Sequence, residues 1–301
     1  SDHGERWAWE IPGRKRQQIE AFAAAVDSEN EPILDWCGGK GHLGRLLALQ
    51  FKQPVRTLEI DRQMCAQGES LAGRLGLNQQ FLPADALTAE DILQPLQHAV
   101  ALHACGHLHR ALIGHGARAG VRRLDVAPCC YHLGVKGFYP AFDPALQNRL
   151  SLDDTRLAVT ETVTASPRLQ RLRDQEMAWK LGFSELRREL SATKDYQSFK
   201  PVPAAWFREN FTVFMQLMAA REQLLLPTGL PLLSFEQIGW QRQREVMRLS
   251  IVRSAFRRAL EVWLALDLVC HLERSGYTVE LGQFCARELT PRNLLISARL
   301  H

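Results

Sequence analysis

At 301 residues, with 46% hydrophobic and 23% charged residues, the chain is large enough for one big domain or for a catalytic domain carrying a substantial insertion. No run approaches the roughly 18 apolar residues of a membrane span, and the opening Ser-Asp-His-Gly-Glu-Arg lacks the basic-then-apolar pattern of a secretory leader, so a cytoplasmic protein without a membrane partner is expected. Seven cysteines without regular pairing argue against a disulfide framework, and a formal net charge of +4 is too small to single out nucleic acid.

In chain order, residues 1–30 read as an amino-terminal helical cover, with an amphipathic helix over Arg16–Val26 after the turn Ile11-Pro-Gly13. Residues 31–139 alternate short apolar runs with helical patterns, the mark of parallel βα units. Strands are expected at Ile33–Trp36, Val55–Ile60, Gln80–Ala84, Ala99–Ala104 and Arg123–Ala127, with helices near 42–50, 62–75, 89–95 and 108–119. Residues 140–275 read as a helical insertion broken at Pro201-Val-Pro203 and Leu226-Pro-Thr-Gly229. Residues 276–301 return to strand character, at Tyr277–Phe284 and Asn293–Arg299, suiting an antiparallel pair that completes the sheet.

The first strand ends in Asp35 and enters Cys37-Gly38-Gly39-Lys40-Gly41, with Leu43 opening the next helix. A glycine loop between strand and helix lets backbone amides approach a ligand, and the missing Gly-Lys-Ser/Thr ending argues against a triphosphate loop. The second strand ends in Glu59 and Asp61, at the distance where an acidic side chain reaches ribose hydroxyls, Glu59 being preferred for that role. Asp85 follows the third strand, placed to accept from an adenine amine. Singly, each also reads as a turn or helix-cap residue; together they form an ordered set.

On these residues the chain resembles the class I S-adenosylmethionine (SAM)-dependent methyltransferase superfamily. The resemblance implies a Rossmann-like α/β fold with a seven-stranded, mostly parallel sheet, and SAM as cofactor. Gly39-Lys-Gly-His-Leu43, His103-Ala-Cys-Gly106, Pro128-Cys-Cys-Tyr-His132 and Thr290-Pro-Arg-Asn-Leu-Leu295 resemble more closely the family that includes the eukaryotic tRNA acceptor-stem 2′-O-methyltransferase and methyltransferase-like proteins. This implies an RNA substrate, tRNA or rRNA, with a ribose hydroxyl as acceptor.

Ligands of open α/β sheets bind at the carboxyl ends of the strands, where Cys37, His103, Cys105, Cys129, Cys130 and His132 fall. His132 and His103 are the candidate bases, with Tyr131 as a hydrogen-bond partner; His103 and Cys105 also stand near the cofactor. Cys129 or Cys130 could instead act as a thiolate nucleophile. Cys105, Cys129, Cys130 and His132 could also supply thiolate and imidazole ligands to zinc or an iron–sulfur cluster, but adjacent cysteines followed by a nearby histidine match no paired Cys-x-x-Cys knuckle, so no metal is expected. Arg14 and Lys15 before the first helix, and Arg244, Arg248 and Arg258 in an arginine-rich segment, are the candidate phosphate contacts, although the arginines of that segment do not share one helix face. Trp206, Phe207, Phe211 and Phe214 have the helical spacing of core packing. The competing readings are a protein or small-molecule methyltransferase and an RNA-binding protein that keeps the fold without catalysis.

Overall fold

The computed structural model describes residues 6–160, 166–190 and 198–301; the first five residues, read above for a leader, lie outside these. Contacts divide the chain into two compact units, Ser1–Glu161 with Phe256–His301, and Thr162–Ala255. The helical expectation drew its borders at 140 and 275. The core unit instead keeps the segment after the fifth strand and the end of the last helix, because Asp267 accepts from the backbone amides of Phe142 (2.9 Å) and Asp143 (3.2 Å) and so binds the two stretches together.

In the first unit, β1 (Ile33–Trp36), β2 (Val55–Glu59), β3 (Gln79–Pro83), β4 (His98–Cys105) and β5 (Arg123–Cys129) run parallel, and β6 (Tyr277–Gln283) and β7 (Leu294–Leu300) close the sheet antiparallel. The order is β3-β2-β1-β4-β5-β7-β6, the seven-stranded, mostly parallel α/β sheet expected. β1 and β5 are buried along their whole length, as strands covered on both faces must be. One face carries the cluster around Leu34, Trp36, Leu112, Ile113, Leu124 and Leu268. The other packs Trp7, Ile19, Phe22, Leu43, Leu46 and Leu47, contributed by α1 (Gly13–Ala25), α2 (His42–Phe51) and the 3-10 turn Arg6–Ala8.

α3 (Arg62–Arg74) and α4 (His107–Ala119) follow β2 and β4. The helix expected near 89–95 is only a 3-10 turn, Glu90–Ile92. Pro95 disfavours helix at Gln94, and the side-chain amide of Gln97 takes over the Gln94 N–H and the Ile92 carbonyl. α5 (Leu152–Val159) starts on a capping box between Ser151 and Asp154.

The second unit contains α6 (Pro167–Leu190), α7 (Phe211–Arg221) and the first part of α8 (Leu232–Arg274). Gly182 and Gly239 allow close packing here, since a Cβ at Gly239 would lie 2.2 Å from the Ala178 carbonyl oxygen. Phe207, Phe211 and Phe214 are core residues, clustered with Trp179 and Phe183, and Trp206 packs at the cluster's edge. Among the described residues no helix is long and apolar enough to cross a membrane. All seven cysteines are free thiols.

Candidate active site

The Asp35 carboxylate is buried and accepts from the Gly44 N–H at 3.0 Å, so it anchors the start of α2 from beneath the glycine loop. Burial pushes its carboxyl up to about 6, against the opposing pull of that N–H and of Arg45 and Lys15. Gly38 has no room for a side chain, since a Cβ would meet Asp35 Oδ2 at 2.3 Å. Gly41 has a left-handed φ of 64°, and a Cβ there would meet the Gln79 amide at 2.3 Å. Around Gly39, by contrast, an added Cβ would find only the Met64 sulfur, at 3.9 Å. The loop is therefore crowded below and open at Gly39, which is what a ligand approaching the backbone needs.

Glu59 accepts from the Gly39 N–H and from the Asp61 N–H, both at 3.0 Å, which leaves further lone pairs on each oxygen. Asp61 caps α3, accepting from the Gln63 and Met64 amides, and Asp85 closes a turn by accepting from the Leu87 N–H at 2.9 Å. Exposed Ile60 and Leu87 stand just past β2 and β3, apolar surface where a flat ring could lie. Cys37 lies amid the acidic set: burial pushes its thiol up to about 12, with the charges of Glu59, Asp35 and Asp85 adding to the effect. Leu43 is buried in the core between α1, α2 and the sheet.

Three non-glycine residues at strand ends adopt the left-handed backbone region: Cys37 (φ 56°), His103 (φ 69°) and Cys130 (φ 46°). Such conformations are costly and persist where surrounding structure enforces them. At His103 the enforcement is visible. The β4–β5 pairing shifts register between Leu102 and Cys105, a bulge that re-aims the His103 side chain. His103 Nε2 then lies 2.8 Å from Gln18 Oε1 on α1. The Gln18 amide nitrogen donates to the Leu289 carbonyl at 3.2 Å, and Arg14 donates to the same carbonyl at 2.9 Å. That bond fixes the amide orientation, so Nε2 of His103 carries the proton and Nδ1 keeps the lone pair. Burial, reinforced by the charges of Lys15 and Arg292, lowers the His103 pKa and keeps the ring neutral.

At the ends of β4 and β5 the Cys105 and Cys129 sulfurs are 3.4 Å apart, and with Cys130 all three sulfurs lie within 4.8 Å of one another. Hydrogen bonds from Cys105 and Cys129, together with the charge of Arg292, hold the Cys130 thiol well below its usual range. His132 is half-buried, and its Nδ1 has no partner. Tyr131 is 1% exposed and packs edge-on to His109 within the core, where burial pushes its hydroxyl well above 10.

Thus Asp35, Cys37, Gly39, Glu59, Asp85, His103, Cys105 and Cys130 gather at one edge of the sheet, and Lys15 acts on the same site through its charge on Asp35 and His103. Arg14 is engaged with Leu289, Arg258 pairs with Glu261 at 2.7 Å, and Arg244 and Arg248 are exposed residues of the second unit. Three participants, Gln18, Arg292 and Arg45, were not singled out by the sequence. Gln18 looked like any polar helix residue, and Arg292 lay inside a motif noticed as a whole. Arg45, buried in α2, donates to the Trp7 and Lys40 carbonyls and pairs with His42, bracing the glycine loop. Its signal was a charge inside the apolar run His42–Phe51.

Residues 14–135 match a family described as a methyltransferase domain. The chain is similar to the glutathione S-transferase C-terminal domain-containing protein homolog of Drosophila melanogaster, 32% identical over 123 residues, 39% of this chain and 20% of that protein. It is also similar to the Homo sapiens glutathione S-transferase C-terminal domain-containing protein, 30% identical over 123 residues, 39% of this chain and 19% of that one. The chain thus spans about a fifth of the length of these curated relatives. Among solved structures, the PH0226 protein from Pyrococcus horikoshii OT3 aligns with a TM-score of 0.34 at 13% identity, over 41% of this chain and 62% of that one.

Proposed function

We propose that this chain, whose residues 14–135 match a methyltransferase domain, is SAM-dependent and transfers the methyl group of SAM to RNA, to a ribose hydroxyl of tRNA or rRNA. The residues at the cleft fit the donor. In this reading Glu59 offers its remaining lone pairs to ribose hydroxyls, Asp85 accepts from the adenine amine, exposed Ile60 and Leu87 supply apolar walls, and the open face of Gly39 admits the amino-acid end. SAM supplies an electrophilic methyl group. The protein aligns an acceptor with it and takes up the proton that a hydroxyl releases.

The observation that carries this reading is the Leu289–Gln18–His103 relay. It fixes a neutral imidazole with a free Nδ1 beside the cofactor residues, the state a general base requires. For the RNA acceptor, support comes from the motif resemblance and from exposed Arg244 and Arg248. The test is transfer of labelled methyl from SAM into total RNA and, separately, total protein. Asp35→Ala and His103→Ala serve as controls. Label in RNA that depends on both residues supports the reading, and label confined to protein overturns the RNA acceptor.

A further inference from the structure

We propose that Cys105, Cys129 and Cys130 bind a zinc ion, with His132 as the fourth ligand. The inference stands apart from methyl transfer and rests on how the strand ends converge. Consecutive residues of a strand point to opposite faces, so an adjacent cysteine pair would ordinarily send its sulfurs apart. Here β5 ends at Cys129, and the left-handed Cys130 turns the chain so that both sulfurs reach one point. Parallel pairing of Cys105 with Cys129 brings the third sulfur to the same place from β4.

The spacing suits the ion. Zinc–sulfur bonds of about 2.3 Å in a tetrahedron put sulfurs roughly 3.8 Å apart. The three sulfurs lie within 4.8 Å of one another, with Cys105 and Cys129 3.4 Å apart, so changes of up to about 1 Å in sulfur separation seat the ion. His132, two residues along the same turn, has a buried Nδ1 without a partner, and buried polar atoms ordinarily have one; its ring lies outside the group of three sulfurs, so a side-chain rotation must bring it to the fourth position. Charge also balances. Three thiolates around a dication leave one negative charge. Arg292, whose field reaches Cys105 and Cys130 and whose buried Nε lacks a partner, is the matching cation. Binding releases the thiol protons to solvent.

The rival fate of the same atoms is a Cys105–Cys129 disulfide. The test is metal content of the reduced, chelator-washed chain after addition of zinc alone, measured by elemental mass spectrometry. We expect one zinc per chain, lost in Cys105→Ser, Cys129→Ser and Cys130→Ser, weakened in His132→Ala, and kept in Cys270→Ser and Cys285→Ser. A second measurement needs no variant. In the native chain zinc should protect half-buried Cys105 and Cys130 from alkylation while exposed Cys270 reacts, and cobalt in place of zinc should give a sulfur-to-metal charge-transfer band. Failure of the reduced native chain to retain zinc, equal labelling of Cys105 and Cys130 with and without it, or equal zinc in a variant lacking all three sulfurs overturns the site.

Discussion

Asp35 shows what the cofactor cleft costs the fold. Its carboxyl sits at about 6 against an ordinary 3.8, so the folded protein holds that proton more tightly than the unfolded chain does. Stability therefore falls as pH rises from about 4 through about 6 and stays reduced above that. Asp35→Asn keeps an acceptor for Gly44 without the charge. At pH 8 it should unfold at a higher temperature than the native chain, by up to about 3 kcal/mol, and the gap should close towards pH 4. Thermal melts across that range check this, and equal melting at pH 8 would show the carboxylate to be fully compensated. Gln18 gives a prediction of another kind. Gln18→Leu should lower the methyl-transfer rate by about tenfold or more while SAM affinity, measured calorimetrically, changes little, because it frees His103 to take the other tautomer. An unchanged rate would remove the imidazole from the reaction. At this scale legibility was uneven. Asp35, Glu59 and Asp85 were readable because strand ends followed by glycine or polar turns locate them on one line of sequence. That Cys105 and Cys129 fall at the same end of the sheet followed from topology, but their 3.4 Å sulfur contact did not, because it depends on the register between strands 24 residues apart.

Elements hold the glycine loop from both sides, and Arg45 is the brace that can be removed. It is 1% exposed, and burial pulls its pKa down to about 10, so its place in α2 is unfavourable except for the carbonyls it serves. Arg45→Leu leaves the Trp7 and Lys40 carbonyls without their donor. The expected cost is about 1–3 kcal/mol together with weaker SAM binding, read by denaturant melts and calorimetry. Preserved SAM affinity would place the brace outside the loop's function. Gly41→Ala acts on the same loop through its left-handed φ and the 2.3 Å approach to Gln79, and should weaken SAM binding while β1 and α2 persist by circular dichroism. The strands were legible within a residue or two because buried parallel strands are short apolar runs between polar turns. The segment 89–95 was not, because Gln97 competes for the helix's hydrogen bonds. Its side chain gave no periodic signal.

On the scale of the molecule, the chain has two compact units. The first holds every residue gathered at the cleft, and the second carries exposed arginines on α8 with exposed Leu249, Ile251 and Val252 among them. If phosphate contacts come from this helix, the double change Arg244→Glu and Arg248→Glu should weaken RNA binding and lower its salt slope by roughly two, without altering SAM affinity. An unchanged slope would move RNA recognition elsewhere. The helical character of this region was legible from its Leu, Arg, Glu and Gln content. Its borders were not, because the contacts that tie residues 142–143 to Asp267 lie 125 positions apart.

The carbonyl of Leu289 receives both Arg14 and Gln18, so the imidazole of β4 is oriented by a helix from one end of the chain and a loop from the other. The network closes only once segments 85 and 271 positions apart in sequence have met. On the proposed reading, cleavage of the backbone near residue 289 would free the His103 tautomer and lower the methyl-transfer rate.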